Sequence, residues 1–428
     1  MKLFGSMNIK NNNLYIGEIN TLGLAKEFGT PLYVMDETLI RDNCRRYVTS
    51  FNKGKNKVAY AGKAFLTKAM CNVIKEEGLY LDVVSGGEIF TAYKSEFPMG
   101  KVYFHGNNKT IEEIEMAINL GVGTFVADNF QELDIINNVC KNKNIKQRVI
   151  LRIIPGIEAH THEYIKTGQI DSKFGFTLID NGAIKAVKKA YELENIQFVG
   201  FHCHIGSQIF ETKPYEEEIE IMLKLIKTTN EELNIDIEEL DLGGGFGIYY
   251  KDGDEPKEIE EFCKIILDKV KNYSKDIGVR EPVLVIEPGR SIVGNSGVTL
   301  YSVGSIKEIP NVAKYIAVNG GMTDNIRPAL YKSEYECVVC NKALDNLLEE
   351  VKIVGKCCES GDVLIDNVKL PIVETNDLFA ILNTGAYGYS MASNYNKALL
   401  PSVVFVNNDK VKLVCKRQSY ENLIQNEV

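Results

Sequence analysis

VAYAGKA at 58–64, LYLDVVS at 79–85, VYFHG at 102–106 and TFVAD at 124–128 open a series of short apolar runs, each ending in small or polar residues. RVILRIIP at 148–155, FVGFHCHI at 198–205, ELDLGGG at 239–245 and VLVIEPG at 283–289 continue it. Between the runs lie amphipathic stretches such as TIEEIEMAINLG at 110–121, in which Ile111, Ile114 and Ile118 fall on one helical face. Strand alternating with helix specifies an α/β chain with a parallel sheet. Eight such units within roughly 230 residues fit a closed (β/α)8 barrel better than an open, doubly wound sheet. The ends of the runs support the same choice. Lys63, Ser85, His105, Asp128, Arg152, His204, the triple glycine and Glu287 sit at or just past the C-terminal ends, where a barrel of this kind builds its active site.

Past residue 290 the texture changes. GVTLYSVGSIKEI, YIAVNGG, YECVVC and LPSVVFVN alternate or run apolar with turns between them, the pattern of a second, mostly β domain. PLYVMD at 31–36 precedes the first barrel strand by one helix and is a candidate to return to that β domain. The expected division is a barrel over 36–285 and a discontinuous β domain over 1–35 plus 286–428.

Composition bounds the partners. The 428 residues are 45% hydrophobic and 25% charged, as in ordinary globular chains, and the net charge of -9 argues against nucleic acid or an anionic membrane as partner. MKLFGSMNIKNNNLY has no apolar core of a secretion signal, and no stretch reaches the length of a transmembrane helix. The expectation is a cytoplasmic protein that keeps its ten scattered cysteines reduced.

Several residues carry chemistry. Lys63 in YAGKAF is either a lysine snorkelling from a strand end or an amine that condenses with a carbonyl, made nucleophilic by burial. GGGFG at 243–247 is either a tight turn or a place where backbone N–H groups approach a phosphate. It matches neither the P-loop nor the dinucleotide fingerprint, which favours a small phosphorylated ligand over a nucleotide. In EPGRS at 287–291, Arg290 suits a carboxylate or phosphate. Glu287 suits a protonated ring nitrogen, and a structural salt bridge between the two is the alternative. His202 and His204, and His160 and His162, raise a metal site. However, barrel metallohydrolases resemble one another in placing such a pair on the first strand and an aspartate at the end of the eighth, and this chain has lysine and glutamate there; no metal is expected. Cys337 and Cys340 lie in an apparent strand that would point their thiols to opposite faces, against zinc. Cys358, in KCCESGD, is the better candidate for a single working thiol.

Taken together, YAGKAF, VSGGE, HGNNK, GFHCHIGSQ, LDLGGGFG, EPGRS, DNIRPALY, CESGD and GAYGYSM resemble the diaminopimelate decarboxylase family, in the alanine racemase/ornithine decarboxylase fold group of pyridoxal-phosphate enzymes. The resemblance runs from TPLYV near residue 30 to about residue 396. It implies a pyridoxal 5'-phosphate cofactor held by Lys63 as a Schiff base, with His204 on the pyridine face and Glu287 at the ring nitrogen. It also implies a phosphate cradle of Ser207, Gly245, the Gly289–Arg290 turn and Tyr387, and a polar shell of Asp82, Glu88 and Arg152. Arg290, Arg327, Tyr331, Tyr387 and Glu359 would grip the distal end of an amino-acid substrate, and Cys358 would be the general acid. In this family CESGD reaches across a homodimer interface, so each site would draw on both subunits. Lys173 and Asp362 resemble a cross-subunit ion pair of the related ornithine enzymes, and EAHTHEYIKTGQ at 158–169 resembles a mobile lid. Asn319 and Thr323 depart from the family's aspartate and asparagine, which touches local hydrogen bonding only.

The implied reaction breaks the carboxylate bond at the D-configured centre of meso-diaminopimelate and yields L-lysine. A sibling decarboxylase of another basic amino acid or a carboxyspermidine-like compound is the nearest alternative; Arg290, Arg327 and Glu359 favour a substrate with both a carboxylate and an ammonium at its far end. Alanine racemization is served by an arginine at the ring nitrogen, not Glu287. A non-catalytic homologue that binds a protein partner should have lost Lys63 or Cys358, and both are present.

Overall fold

The computed structural model describes residues 1–157 and 172–428. Eight strands form the barrel: β1 (Lys57–Ala61), β2 (Tyr80–Val83), β3 (Val102–Phe104), β4 (Thr124–Ala127), β5 (Gln147–Ile154), β6 (Ile196–His202), β7 (Glu239–Asp241) and β8 (Val283–Ile286). Each pairs in parallel with the next, and β8 closes on β1 through Val285–Lys57 and Ile286–Val58. The expected (β/α)8 barrel therefore forms from the eight runs that announced it. Ala59, Tyr103, Val126, Ile150, Val199 and Val285 make a buried layer inside it. Toward the N-terminal end of the strands a polar plug takes over. Glu239, fully buried, pairs with Lys57 and accepts a 2.6 Å bond from the Tyr103 hydroxyl.

The helix Ile111–Asn119 shows how the outer ring is specified. Thr110 and Glu113 form a capping box, and Ile114, Ala117 and Ile118 are buried. Ile111 is not part of that face: it lies in the first turn and is 51% exposed.

The chain divides into two compact units, Asn43–Gly247 with Pro256–Gly289, and Met1–Asp42 with Ile248–Glu255 and Arg290–Val428. The borders fall at 42/43 and 289/290 rather than at 35/36 and 285/286. Ile248–Glu255, which the sequence assigned to the barrel, belongs to the β unit. Ile248 and Tyr250 sit there in a core with Tyr301, Ile316 and Ile353.

In the β unit a 13-residue strand, Gly297–Ile309, pairs with Ala313–Val318, with Leu378–Ile381 and, antiparallel, with Leu32–Asp36. Leu32–Asp36 also pairs in parallel with Ser402–Asn407. The N-terminal segment thus returns to the β unit. Cys337 and Val339 enter one apolar core, Val338 and Cys340 another, as a two-residue period requires. Among the described residues, no helix is long and apolar enough to cross a membrane.

Candidate active site

Glu287 follows β8 directly and is buried between two imidazoles. His202, the last residue of β6, brings Nε2 to 3.3 Å from Glu287 Oε2, and His105, just past β3, brings Nε2 to 2.7 Å from Oε1. Burial opposes ionisation of Glu287, but His105 and His202 override it and hold the carboxyl well below the usual carboxylate range. Burial pushes His202 down to about 3 despite its neighbour, so it is neutral at pH 7. Asp241, at the end of β7, is pushed well up by burial and by the charge on Glu287, and keeps its proton. Of the Glu287–Asp241 pair, Glu287 therefore carries the charge. Around it, Asp82 is pushed up to about 6 by burial, against His105, and Glu88 up to about 7 by burial. Arg152, lowered by burial, is drawn back by Asp128, Glu287 and Asp82 and lies 4.2 Å from the Phe174 ring.

His105, His202, Asp241 and Glu287 place four ligand-type atoms within 4.8 Å of one another. This grouping differs from the one weighed in the sequence: His202 meets His105, not His204, and His160 and His162 lie outside the described residues. The 2.7 Å His105–Glu287 separation is a proton-sharing distance. It is shorter than the edge of about 3.3 Å between ligands of a tetrahedral zinc site with bonds near 2.0–2.1 Å.

Lys63 sits in a 3-10 turn, Gly62–Ala64, immediately after β1, and is exposed. The strand stops at Ala61 and the turn places Lys63 past its end, so the burial attached to the condensing-amine reading alone is not observed in the single chain. His204 lies two residues past β6, and its Nδ1 accepts a 3.3 Å bond from Gly244 N. That bond fixes the proton on Nε2. Burial first, then Lys63 and Arg152, hold the ring well below the ordinary imidazole range, so it is neutral.

The glycine run divides its labour. Gly243 N donates to Asp241 Oδ1 at 2.8 Å and Gly244 N to His204, so two of the three amides are committed internally. Gly245 has φ +101°, and among the described residues its N–H is not committed in this way. A Cβ there would stand 2.4 Å from Gly206 O, which places the Gly245 amide beside the loop that carries Ser207.

Within the β unit, Arg290 Nη1 donates to the Tyr250 hydroxyl at 2.6 Å, and its guanidinium lies 4.9 Å from the Tyr387 ring. Arg327 stands over the same ring at 5.3 Å and over Tyr331 at 5.0 Å, and Nε donates to the Tyr335 hydroxyl at 3.1 Å. Tyr387 thus holds two guanidinium groups, from a backbone at φ +61°, a left-handed conformation that a bulky residue adopts at a cost. Cys358 and Glu359 form a separate, exposed group in which the Tyr395 hydroxyl donates to Glu359 Oε1.

A buried anion, a neutral imidazole and an exposed amine, with a glycine amide beside a serine loop, are groups that could hold a phosphorylated pyridine aldehyde. The comparisons agree. Residues 37–294 match the family model described as pyridoxal-dependent decarboxylase, pyridoxal binding domain. A diaminopimelate decarboxylase of Bacillus methanolicus is 49% identical over 95% of this chain and 94% of its own length. That of Bacillus subtilis is 47% identical over 97% and 95%. The chain belongs to the diaminopimelate decarboxylase family. The crystal structure of the M. jannaschii diaminopimelate decarboxylase superposes with a TM-score of 0.93 at 38% identity, covering 99% of this chain and 98% of that one.

Asp362 is buried, its Oδ1 accepting from Met322 N at 2.6 Å and its Oδ2 from Cys357 N at 2.8 Å. It braces the turn before Cys358 from within its own chain. The lid at 158–169 lies outside the described residues. Asn319 bonds Thr30 and Ser302, and Thr323 bonds Asp324, so both departures from the diaminopimelate decarboxylase pattern act in local hydrogen bonding. Sequence reasoning missed the roles of His105, His202 and Asp241. Their common signal, a polar residue at the end of a barrel strand, was on the page, but their meeting at Glu287 was not.

Glu218, on the helix Lys213–Leu233, was missed altogether. It is fully buried beside Cys203, neither carboxyl oxygen makes an aligned hydrogen bond, and burial pushes it up to about 8. From about pH 4.5 upward the unfolded chain releases this proton while the folded chain keeps it until about 8. Stability therefore falls with rising pH across that window, by a few kcal/mol in all. Glu218→Gln removes the fall. Thermal melts at pH 5 and pH 8 should show the variant gaining on the parent at pH 8; equal differences at both pH values would contradict the assignment.

Proposed function

We propose that this chain decarboxylates meso-2,6-diaminopimelate to L-lysine and carbon dioxide, the last step of lysine biosynthesis, with pyridoxal 5'-phosphate as cofactor. The observation that carries the reading is Glu287, held ionised between His105 and His202 at the end of β8. An anion there keeps a proton on a pyridine nitrogen, and the bound cofactor then supplies the sink for the electron pair left when the carboxylate departs. The substrate follows from the relatives. The M. jannaschii enzyme has been solved in co-complex with L-lysine.

Lys63 supplies the amine that carries the cofactor and yields to the substrate's amine. His204, neutral and pinned by Gly244, would lie against the pyridine face of the bound cofactor. Ser207, Gly245, Gly289, Arg290 and Tyr387 bind the phosphate, with Asp82, Glu88 and Arg152 as the supporting polar shell. Arg290, Arg327, Tyr331, Tyr387 and Glu359 hold the distal carboxylate and ammonium of the substrate; paired guanidinium groups suit a carboxylate and not a plain diamine. Cys358 returns a proton to the α-carbon. The exposure of Cys358 and Glu359 on the single chain supports a homodimer in which they serve the partner's site. The same reading places the protein in the cytoplasm, where its cysteines remain thiols.

Purified protein with meso-diaminopimelate and pyridoxal phosphate should release lysine and carbon dioxide in equal amounts. Cys358→Ala should lower lysine release by about 10²–10⁴-fold, the usual worth of a positioned proton donor, and leave the cofactor's visible absorbance intact. Absorbance of bound cofactor without lysine release would keep the cofactor and discard the substrate, and other basic amino acids would be tried next.

A further inference from the structure

Lys109, in HGNNK, is buried, and its ammonium spends all three donors inside the barrel unit. Nζ donates to Gly106 O at 2.8 Å, to Val126 O at 2.8 Å and to Glu132 Oε1 at 2.7 Å. Glu132, also buried, turns its other oxygen to Asp128 N at 3.1 Å. The pair therefore ties the carbonyl just after His105, at the exit of β3, to the C-terminal end of β4. Glycine at 106 holds φ +123°, a conformation that leaves the exit of β3 without a side chain of its own to brace it. On the other side, His105 N donates to Val83 O of β2 at 2.8 Å. His105 is thus clamped at its amide by β2 and, one residue on, by Lys109.

We propose that Lys109 with Glu132 is a positioning device that sets His105 against Glu287, the carboxylate offered to the cofactor, a role that rests on the function proposed above. Stability alone does not account for the pair. Burying two charges costs more than a well-packed apolar pair of similar volume, and replacing both partners is often neutral or stabilising. Burial in fact presses both groups toward their neutral forms, Lys109 downward and Glu132 upward. What an apolar pair would lose is the two carbonyl anchors and the link to Asp128.

The test compares Lys109→Met with Lys109→Met/Glu132→Leu in the loaded enzyme, following Tm, kcat, KM and the cofactor's dissociation constant. The chain has five histidines, so ¹³C-histidine labelling resolves them, with His105→Gln to assign His105. Lys109→Met strands Glu132 and should lower Tm; the double variant should recover it. Both should raise the cofactor's dissociation constant and lower kcat by about tenfold or more with KM nearly unchanged, the scale of a small misplacement, and both should shift the His105 resonance. If the double variant regains kcat and cofactor affinity along with Tm, or leaves the His105 resonance in place, the pair is only structural and the proposal falls. A wild type that makes no lysine would overturn the function, whereas the His105 resonance, read also without cofactor, would still decide the positioning role. Should Lys109→Met fail to fold, the double variant carries the test.

Discussion

Lys63→Ala should release no measurable lysine from meso-diaminopimelate, a loss of about a thousandfold or more, and should lose the visible absorbance of the bound cofactor. The structure argues for so large an effect. Lys63 stands exposed on the turn that ends β1, with its amine clear of the strand, and the buried amine of Lys109 is saturated by two carbonyls and Glu132. A covalent route gains its rate by splitting one hard step into two easier ones, and both need the same amine at the same place. Lys63→Arg is the sharper control. It keeps the positive charge and the length, but a guanidinium stays protonated and cannot condense. Loss of turnover in both variants, with Tm held near that of the parent, separates the chemistry of the amine from its charge. A Lys63→Arg enzyme that retained a tenth of the parental turnover would remove Lys63 from the mechanism.

Much of this was legible in the sequence, for physical reasons. The eight strands could be read because a parallel strand buried on both faces is a short apolar run and because the chemistry clusters at one end of each. The return of PLYVMD to the β unit was legible as an orphan strand that the barrel had no place for. Other features were not. Ile248–Glu255 follows the glycine run without a break in composition, so only packing shows that Ile248 and Tyr250 belong to the β core. The sequence leaves Lys63 open between a buried amine and one snorkelling from the strand end, because a run of apolar letters does not mark where the last ladder bond falls. Asp362 accepts from two backbone amides in its own chain, contacts for which the sequence carries no local signal. Lys109 and Glu132 stand 23 residues apart and Glu287 stands 85 from His202. Pairings made by barrel closure leave no local period to read.

Glu287→Gln is the other variant with a large expected effect, and its pH dependence is more telling than its rate. The amide keeps the shape and loses the charge, so the ring nitrogen loses its fixed anion and turnover should fall by about 10²–10³-fold, the scale of a single well-placed electrostatic group. The charge of Glu287 is, after burial, the main cause that keeps Asp241 protonated. With that charge gone, Asp241 ionises more readily, and an anion reappears a short distance away. Two carboxyls that interact this strongly titrate as a pair, and removing one changes the proton affinity of the other. The residual activity of Glu287→Gln should therefore rise with pH as Asp241 gives up its proton. Glu287→Gln/Asp241→Asn should lack that rise and lose about a further tenfold. Rate profiles for both variants from pH 6 to 9, each normalised to the parent, make the comparison. A flat profile in the single variant would mean that Asp241 does not answer to Glu287. Turnover within about threefold of the parent would mean that the buried carboxylate at the end of β8 is not the partner of the ring nitrogen.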